Sequence, residues 1–282
     1  MRFKKPYLAF ILFILVNIGQ TFAQSAETPE ASETPKTSEE TKTPEAAKKE
    51  RPFKIGTGLG YSFIGYREET DLPLNRYLDT LNFNFNGNIE KNNFLYSINF
   101  GYLAGETDPI EIKNDDNYYT HYQKEHTFLR LYYENALDYR LWGNSVLPGY
   151  LGGAFRGDLY YSTLADTYYY SLTMLCSLAI HVTQKLIIKN RSEFILSLSI
   201  PFLGYAVRPP YYGLLYAPLD SEEKVTSFHN YRAVFGDLKY YHKASEWLSF
   251  YLGLGFELSQ ITFPQQRKDA SFSMNAGVAF SF

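Results

Sequence analysis

From residue 53 onward, apolar and polar side chains alternate almost one for one. Phe53, Ile55, Leu59, Tyr61 and Phe63 interleave with Lys54, Gly56, Gly58, Gly60 and Ser62. Leu81, Phe83 and Phe85 interleave with Asn82, Asn84 and Asn86, and Leu248, Phe250, Leu252, Leu254, Phe256 and Leu258 with Ser249, Gly253, Gly255 and Glu257. A two-residue period is that of a β-strand with one apolar and one polar face. It predicts ten strands, near 53–66, 77–89, 93–104, 126–141, 149–162, 168–183, 186–206, 225–242, 247–259 and 270–282. The weakest is 225–242, where either parity leaves a charge on the apolar face or a poor apolar stripe. Strands 126–141 and 186–206 are long enough to hide a split, so eight or twelve strands stand as alternatives.

Two all-β architectures give this alternation. A soluble sandwich turns the apolar face inward; a transmembrane antiparallel up-and-down β-barrel turns it outward to lipid. Three features favour the barrel. The strands exceed the usual soluble length of about 5–6 residues and reach the about 9–11 needed to cross a bilayer. Their polar faces carry Arg, Asp and Glu in mid-strand. Their connections also alternate: 90–92, 142–148, 184–185 and 243–246 are short, whereas four of 67–76, 105–125, 163–167, 207–224 and 260–269 are long. Barrels of this kind have short periplasmic turns, long outer loops and an even strand count.

The segment ahead of the barrel (52–282) differs in kind. Arg2, Lys4 and Lys5 precede an apolar run from Tyr7 to Ile18, and Thr21-Phe22-Ala23 supplies small residues at both cleavage-determining positions. Residues 1–23 therefore read as a secretory signal. Residues 24–51 hold no aromatic, branched aliphatic or Gly residue and read as a disordered Glu/Pro/Thr/Lys-rich linker, expected in the periplasm. Removing 1–23 leaves 24 Lys and Arg against 30 Asp and Glu, a net charge of -6, which speaks against nucleic acid as a partner. The single cysteine excludes a disulfide framework. No metal or cofactor motif is found: Gly56-Thr57-Gly58-Leu59-Gly60 lacks the spacing and helix of a dinucleotide loop, and Asp115-Asp116 lacks that of an EF-hand.

The chain ends Asn275-Ala276-Gly277-Val278-Ala279-Phe280-Ser281-Phe282. This resembles the C-terminal assembly signal of bacterial outer-membrane β-barrel proteins, with Asn275, Gly277, Phe280 and Phe282 in its four defined places. The resemblance implies the outer membrane as location and the barrel assembly machinery as a partner. It also implies contact with the bilayer and lipopolysaccharide.

The polar faces supply the candidate chemistry. Arg130, Glu134, Asp138 and Arg140 share one strand face, Arg156 and Asp158 the next, and His181, Asp237, Lys239 and Glu257 lie further round. Opposite charges on neighbouring strands pair across the ladder, giving either a selectivity constriction or a network that plugs a narrow barrel. An enzyme needs a nucleophile and base near the outer end. Ser227 with His229, and His126, are the weak candidates. The expected role is non-enzymatic: a narrow solute channel or a structural, surface-binding protein, with 105–125 and 207–224 as loops for a small solute or extracellular ligand. The alternative is a lipid-modifying enzyme acting on phospholipid or lipopolysaccharide acyl groups.

Overall fold

A computed structural model describes residues 53–68, 74–107, 110–112, 121–123, 126–164, 169–188, 191–208, 213–214, 222–263 and 266–282. The expected signal (1–23) and linker (24–51) lie outside the described residues, as does most of the loops 105–125 and 207–224. Every regular element among the described residues is a strand: β1 Phe53–Glu68, β2 Leu74–Lys91, β3 Phe94–Thr107, β4 Ile110–Ile112, β5 His121–Gln123, β6 His126–Trp142 and β7 Gly149–Leu164. They continue with β8 Tyr169–Ile188, β9 Ser192–Arg208, β10 Gly213–Leu214, β11 Glu222–Ser227, β12 Tyr231–Lys243, β13 Leu248–Ile261 and β14 Arg267–Ser281.

Ten of these close into one antiparallel barrel, in the order β1-β2-β3-β6-β7-β8-β9-β12-β13-β14, with β14 returning to β1. β10 adds two residues to the edge of β8, β11 pairs with the far half of β9, and β4 and β5 form a separate hairpin. The strands tilt, as closure requires. From Ser199, one lateral row passes through Phe235, Glu257 and Ser271 to Ile64, late in β1. The other way, it passes through His181, Gly152, Asp138 and Leu95 to Glu90, at the very end of β2.

Two sequence expectations are corrected. The short connection expected at 184–185 is not a reversal: β8 runs on to Ile188 and β9 resumes at Ser192. The alternation simply continues, with Leu186 and Ile188 exposed outward and Lys185 buried inward. The expected strand 225–242 is broken. β11 pairs with β9 through Ser227↔Leu203, but β12 takes up that partner only at Phe235↔Ser199. Four extra residues are accommodated around the turn at 228–230. There the Asn230 side chain accepts a hydrogen bond from the Ser227 amide at 2.7 Å. The break changes parity: Thr226 is buried inside on β11, and Tyr231, Ala233 and Phe235 are buried inside on β12. No single parity fitted this stretch because two parities operate in it. β9 makes a similar adjustment, with a register shift against β8 at Leu178/Ala179, where Pro201 sits. A bulge is where a strand tolerates a residue with no amide proton.

The outer surface is apolar. Leu59, Leu81, Leu137, Leu252 and Leu258 are each more than half exposed, and Phe83, Ile180, Leu196, Leu254, Phe256, Phe272 and Met274 are exposed beside them. Water does not tolerate such a continuous belt; hydrocarbon does. At the short-turn end the belt is rimmed by aromatic pairs, Phe53–Phe282, Phe94–Tyr139, Phe194–Tyr240 and the stacked Trp247–Phe280.

Candidate functional site

The lumen is filled in three storeys. Nearest the long-loop end, inward apolar residues close it: Ile64, Tyr66, Leu78, Leu103 and Phe128 on one side, and Leu175, Ala206, Tyr231, Ala233, Phe235 and Ile261 on the other. Below them lies a layer of charge. Asp158 is 1 % exposed and takes both guanidiniums: Arg130 donates from Nε at 3.0 Å and Nη2 at 2.6 Å, and Arg156 from Nε at 2.9 Å. Glu257 meets Arg130 at 2.6 Å and Arg156 at 3.7 Å, and Glu134 meets Arg156 at 3.5 Å. The guanidinium faces are covered as well. Arg156 lies 3.7 Å from the Phe235 ring centroid, and Arg130 lies 4.6 Å from that of Tyr160. Each buried cation thus has carboxylates at its edge and aromatic quadrupoles at its face, which offsets its loss of hydration.

The layer is held across the barrel, not merely along the wall. Arg130 is on β6 and Glu257 on β13, five strands apart in a ring of ten. Lys239 on β12 similarly donates to Asn99 on β3 at 2.9 Å, while pairing with Asp237 at 2.8 Å. These ties bound a polar chamber of about 100 Å³ lined by Asn84, Asn86, Asn99, Ser197, Ser199 and Asn275 with the charged layer.

The lowest storey faces the short turns. Tyr241 donates to Asn86 at 3.0 Å and Tyr251 donates to Asn84. Tyr251 lies across Gly58 and Gly277, which are register partners, and a Cβ on either would collide with its ring or hydroxyl. Lys54 pairs with Glu193, and Glu90 receives both Lys185 and the Tyr150 hydroxyl. Asp138 and His181 form a pair of their own at 2.7 Å, with Thr183 donating to the same carboxylate oxygen at 3.0 Å.

Nine of the ten residues singled out from the polar faces therefore point into the lumen network, in three groups: Arg130 with Glu134, Arg156, Asp158 and Glu257; Asp138 with His181; Asp237 with Lys239. Arg140 stands apart, half-buried near the short turns, donating to the Gly143 carbonyl at 3.3 Å. Ser227 and His229 do not share a strand face. Ser227 ends β11 and His229 is exposed in the turn that follows, because the chain bends between them. The backbone of His126 pairs with Leu164, and its side chain is outside the described residues. Of the terminal motif, Asn275 lines the chamber, Gly277 admits Tyr251, Phe280 stacks on Trp247, and Phe282 closes on Phe53 through its backbone amide. Sequence reasoning passed over Tyr132, Tyr160, Phe235, Tyr241 and Tyr251. Tyr251 occupies a polar-face position among apolar-face neighbours, a readable signal; the aromatic faces over arginine have none. Among the described residues, no group of three or more His, Cys, Asp or Glu is placed to hold a metal ion.

No protein-family model matches the chain, and no curated protein matches it. Its structure is similar to the outer-membrane protease OmpT of Escherichia coli at a TM-score of 0.54 and 7% identity, over 82% of this chain and 96% of that one. Neisserial surface protein A aligns at a TM-score of 0.36 and 9% identity, over 82% and 97% of the two chains. The toluene transporter TodX of P. putida aligns at 0.34 and 6%, over 82% and 89%. The closed ten-stranded antiparallel wall, apolar outside and polar within, has the fold of the bacterial outer-membrane β-barrels.

Proposed function

We propose that this chain is an integral outer-membrane protein that works without a chemical step, as a closed barrel acting through its rim and outer loops. By the rule that periplasmic turns are short, the end carrying Asn92, Gly143, Arg191 and Ala244 faces the periplasm, the compartment also expected for the N-terminal linker. The long connections, including 105–125 and 207–224, then face outward and are the recognition surface. The observation that carries this reading is the pair of cross-lumen ties, Arg130 to Glu257 and Lys239 to Asn99. An open channel leaves opposite walls separated by water; here charged side chains bridge them. The same ties argue against the narrow solute channel, the other non-enzymatic role.

The lipid-modifying alternative draws no support from Ser227 and His229, which the bend at 228–230 separates. The closed-barrel reading is tested by liposome swelling. Proteoliposomes of the purified protein are expected to exclude arabinose and glucose at the rate of protein-free vesicles. Swelling in proportion to protein content would restore the solute channel.

A further inference from the structure

The outward face of β1, β14, β13 and β12 carries a feature that the closed lumen does not use. At the long-loop end, Arg67 stands opposite Lys268, Lys268 opposite Gln260, and Gln260 opposite Arg232. The four share the outward parity of Phe63, Phe272 and Leu258; Arg67, Lys268 and Arg232 are exposed. Three cations therefore lie in one lateral row about 14 Å long, at about 4.8 Å per strand. Two of them are direct cross-strand neighbours, a like-charge pairing that destabilises a bare sheet. Arg232 is steadied by its Nε, which donates to the Phe228 carbonyl at 3.0 Å.

Directly below the row the wall is recessed. Gly65 and Ala270, also register partners, form the floor of a groove of about 770 Å³ walled by Tyr77, Ile200, Val234 and Leu258. One row further down come Phe63, Phe272 and Phe256, part of the apolar belt. The groove thus opens into the belt at one end and ends at the cations at the other. Among the described residues, the carboxylate that lines the groove, Asp269, is turned to the inner side and pairs with Arg267 at 2.8 Å. The nearest outward acid on β2, Asp79, stands lower, opposite Phe63.

We infer that this groove binds one outer-leaflet lipid with a phosphorylated headgroup, phosphate on Arg67, Lys268 and Arg232 and acyl chain against Gly65 and Ala270. Phosphate fits better than a carboxylate because its several oxygens serve more than one cation, and guanidinium takes it in bidentate fashion. The inference rests on the outer-membrane reading, which supplies the orientation and the leaflet.

Native mass spectrometry of the full chain in a zwitterionic detergent tests it, with diphosphoryl lipid A as probe and its dephosphorylated form, phosphatidylcholine and inorganic phosphate as comparisons. One tightly retained diphosphoryl lipid is expected. Each of Arg67→Gln, Lys268→Gln and Arg232→Gln should weaken retention about tenfold, the ratio carried by ~1.4 kcal/mol. Ala270→Trp, which fills the groove and leaves every cation in place, should also weaken it. Lys91→Gln, at the other rim, should not. Equal retention of the dephosphorylated lipid, or retention unchanged in the triple Gln variant, overturns the inference. So does displacement by inorganic phosphate at the lipid's own concentration, which would mark an anion site without a lipid. Heat-modifiable migration of the same samples separates this from failure of the outer-membrane reading: a chain that never inserts fails both, whereas an inserted barrel without lipid preference fails only here.

Discussion

Asp158 holds two arginines in a space that excludes nearly all water, so loss of either guanidinium leaves a carboxylate buried and half-paired. Arg156→Ala is expected to destabilise the folded barrel by about 3–5 kcal/mol, the usual cost of breaking a buried ion pair. Urea titration of the protein in vesicles measures it, and a loss under 1 kcal/mol would mean the layer is more hydrated than its geometry indicates. At this scale the sequence was partly legible. The two-residue period puts Arg130, Glu134, Asp138, Arg156 and Asp158 on inward faces without any structure. It says nothing of Glu257 reaching Arg130, because that contact joins strands five places apart and depends on barrel diameter. The rings over the guanidiniums are unreadable for the same reason. Phe235 even looks out of place, as an apolar residue on an inward face.

Among the elements, β11 and β12 show how a local break resolves a conflict of pattern. A continuous strand over 225–242 would have to turn either Lys239 and Asp237 or a run of apolar residues the wrong way. The turn at 228–230 lets Thr226 and Tyr231 both face inward, and Asn230 holds it by its hydrogen bond to the Ser227 amide. Asn230→Ala is expected to cost about 1 kcal/mol, the net worth of one such bond, and to speed amide hydrogen exchange at Ser227 ahead of β12. Uniform exchange along 222–243 would contradict the assignment. The short-turn end offers a second test. Gly143 has φ +89°, and a Cβ there would meet the Leu147 carbonyl oxygen. Gly143→Ala should therefore lower stability by about 1–2 kcal/mol without touching the wall strands. A break of parity is visible in sequence only as a weak stripe. The misplaced reversal at 184–185 had a different cause: Gln184 and Lys185 look like turn residues until Lys185 is seen to reach inward to Glu90.

For the whole molecule, strand number and side-chain size together decide whether a barrel conducts. Ten strands stand near the size at which side chains fill the interior, and here large ones do so, with Tyr251 seated over Gly58 and Gly277. The ten-strand count and the antiparallel wall were legible from strand length and alternating connection length. Closure of the lumen was not, since open and plugged barrels share the same alternation. Planar-bilayer recording tests closure most directly, on protein shown to be folded by heat-modifiable migration. Wild-type protein is expected to give no steady conductance at any holding voltage. Steady ohmic channels from the wild type would contradict the closed barrel on which the proposed function rests.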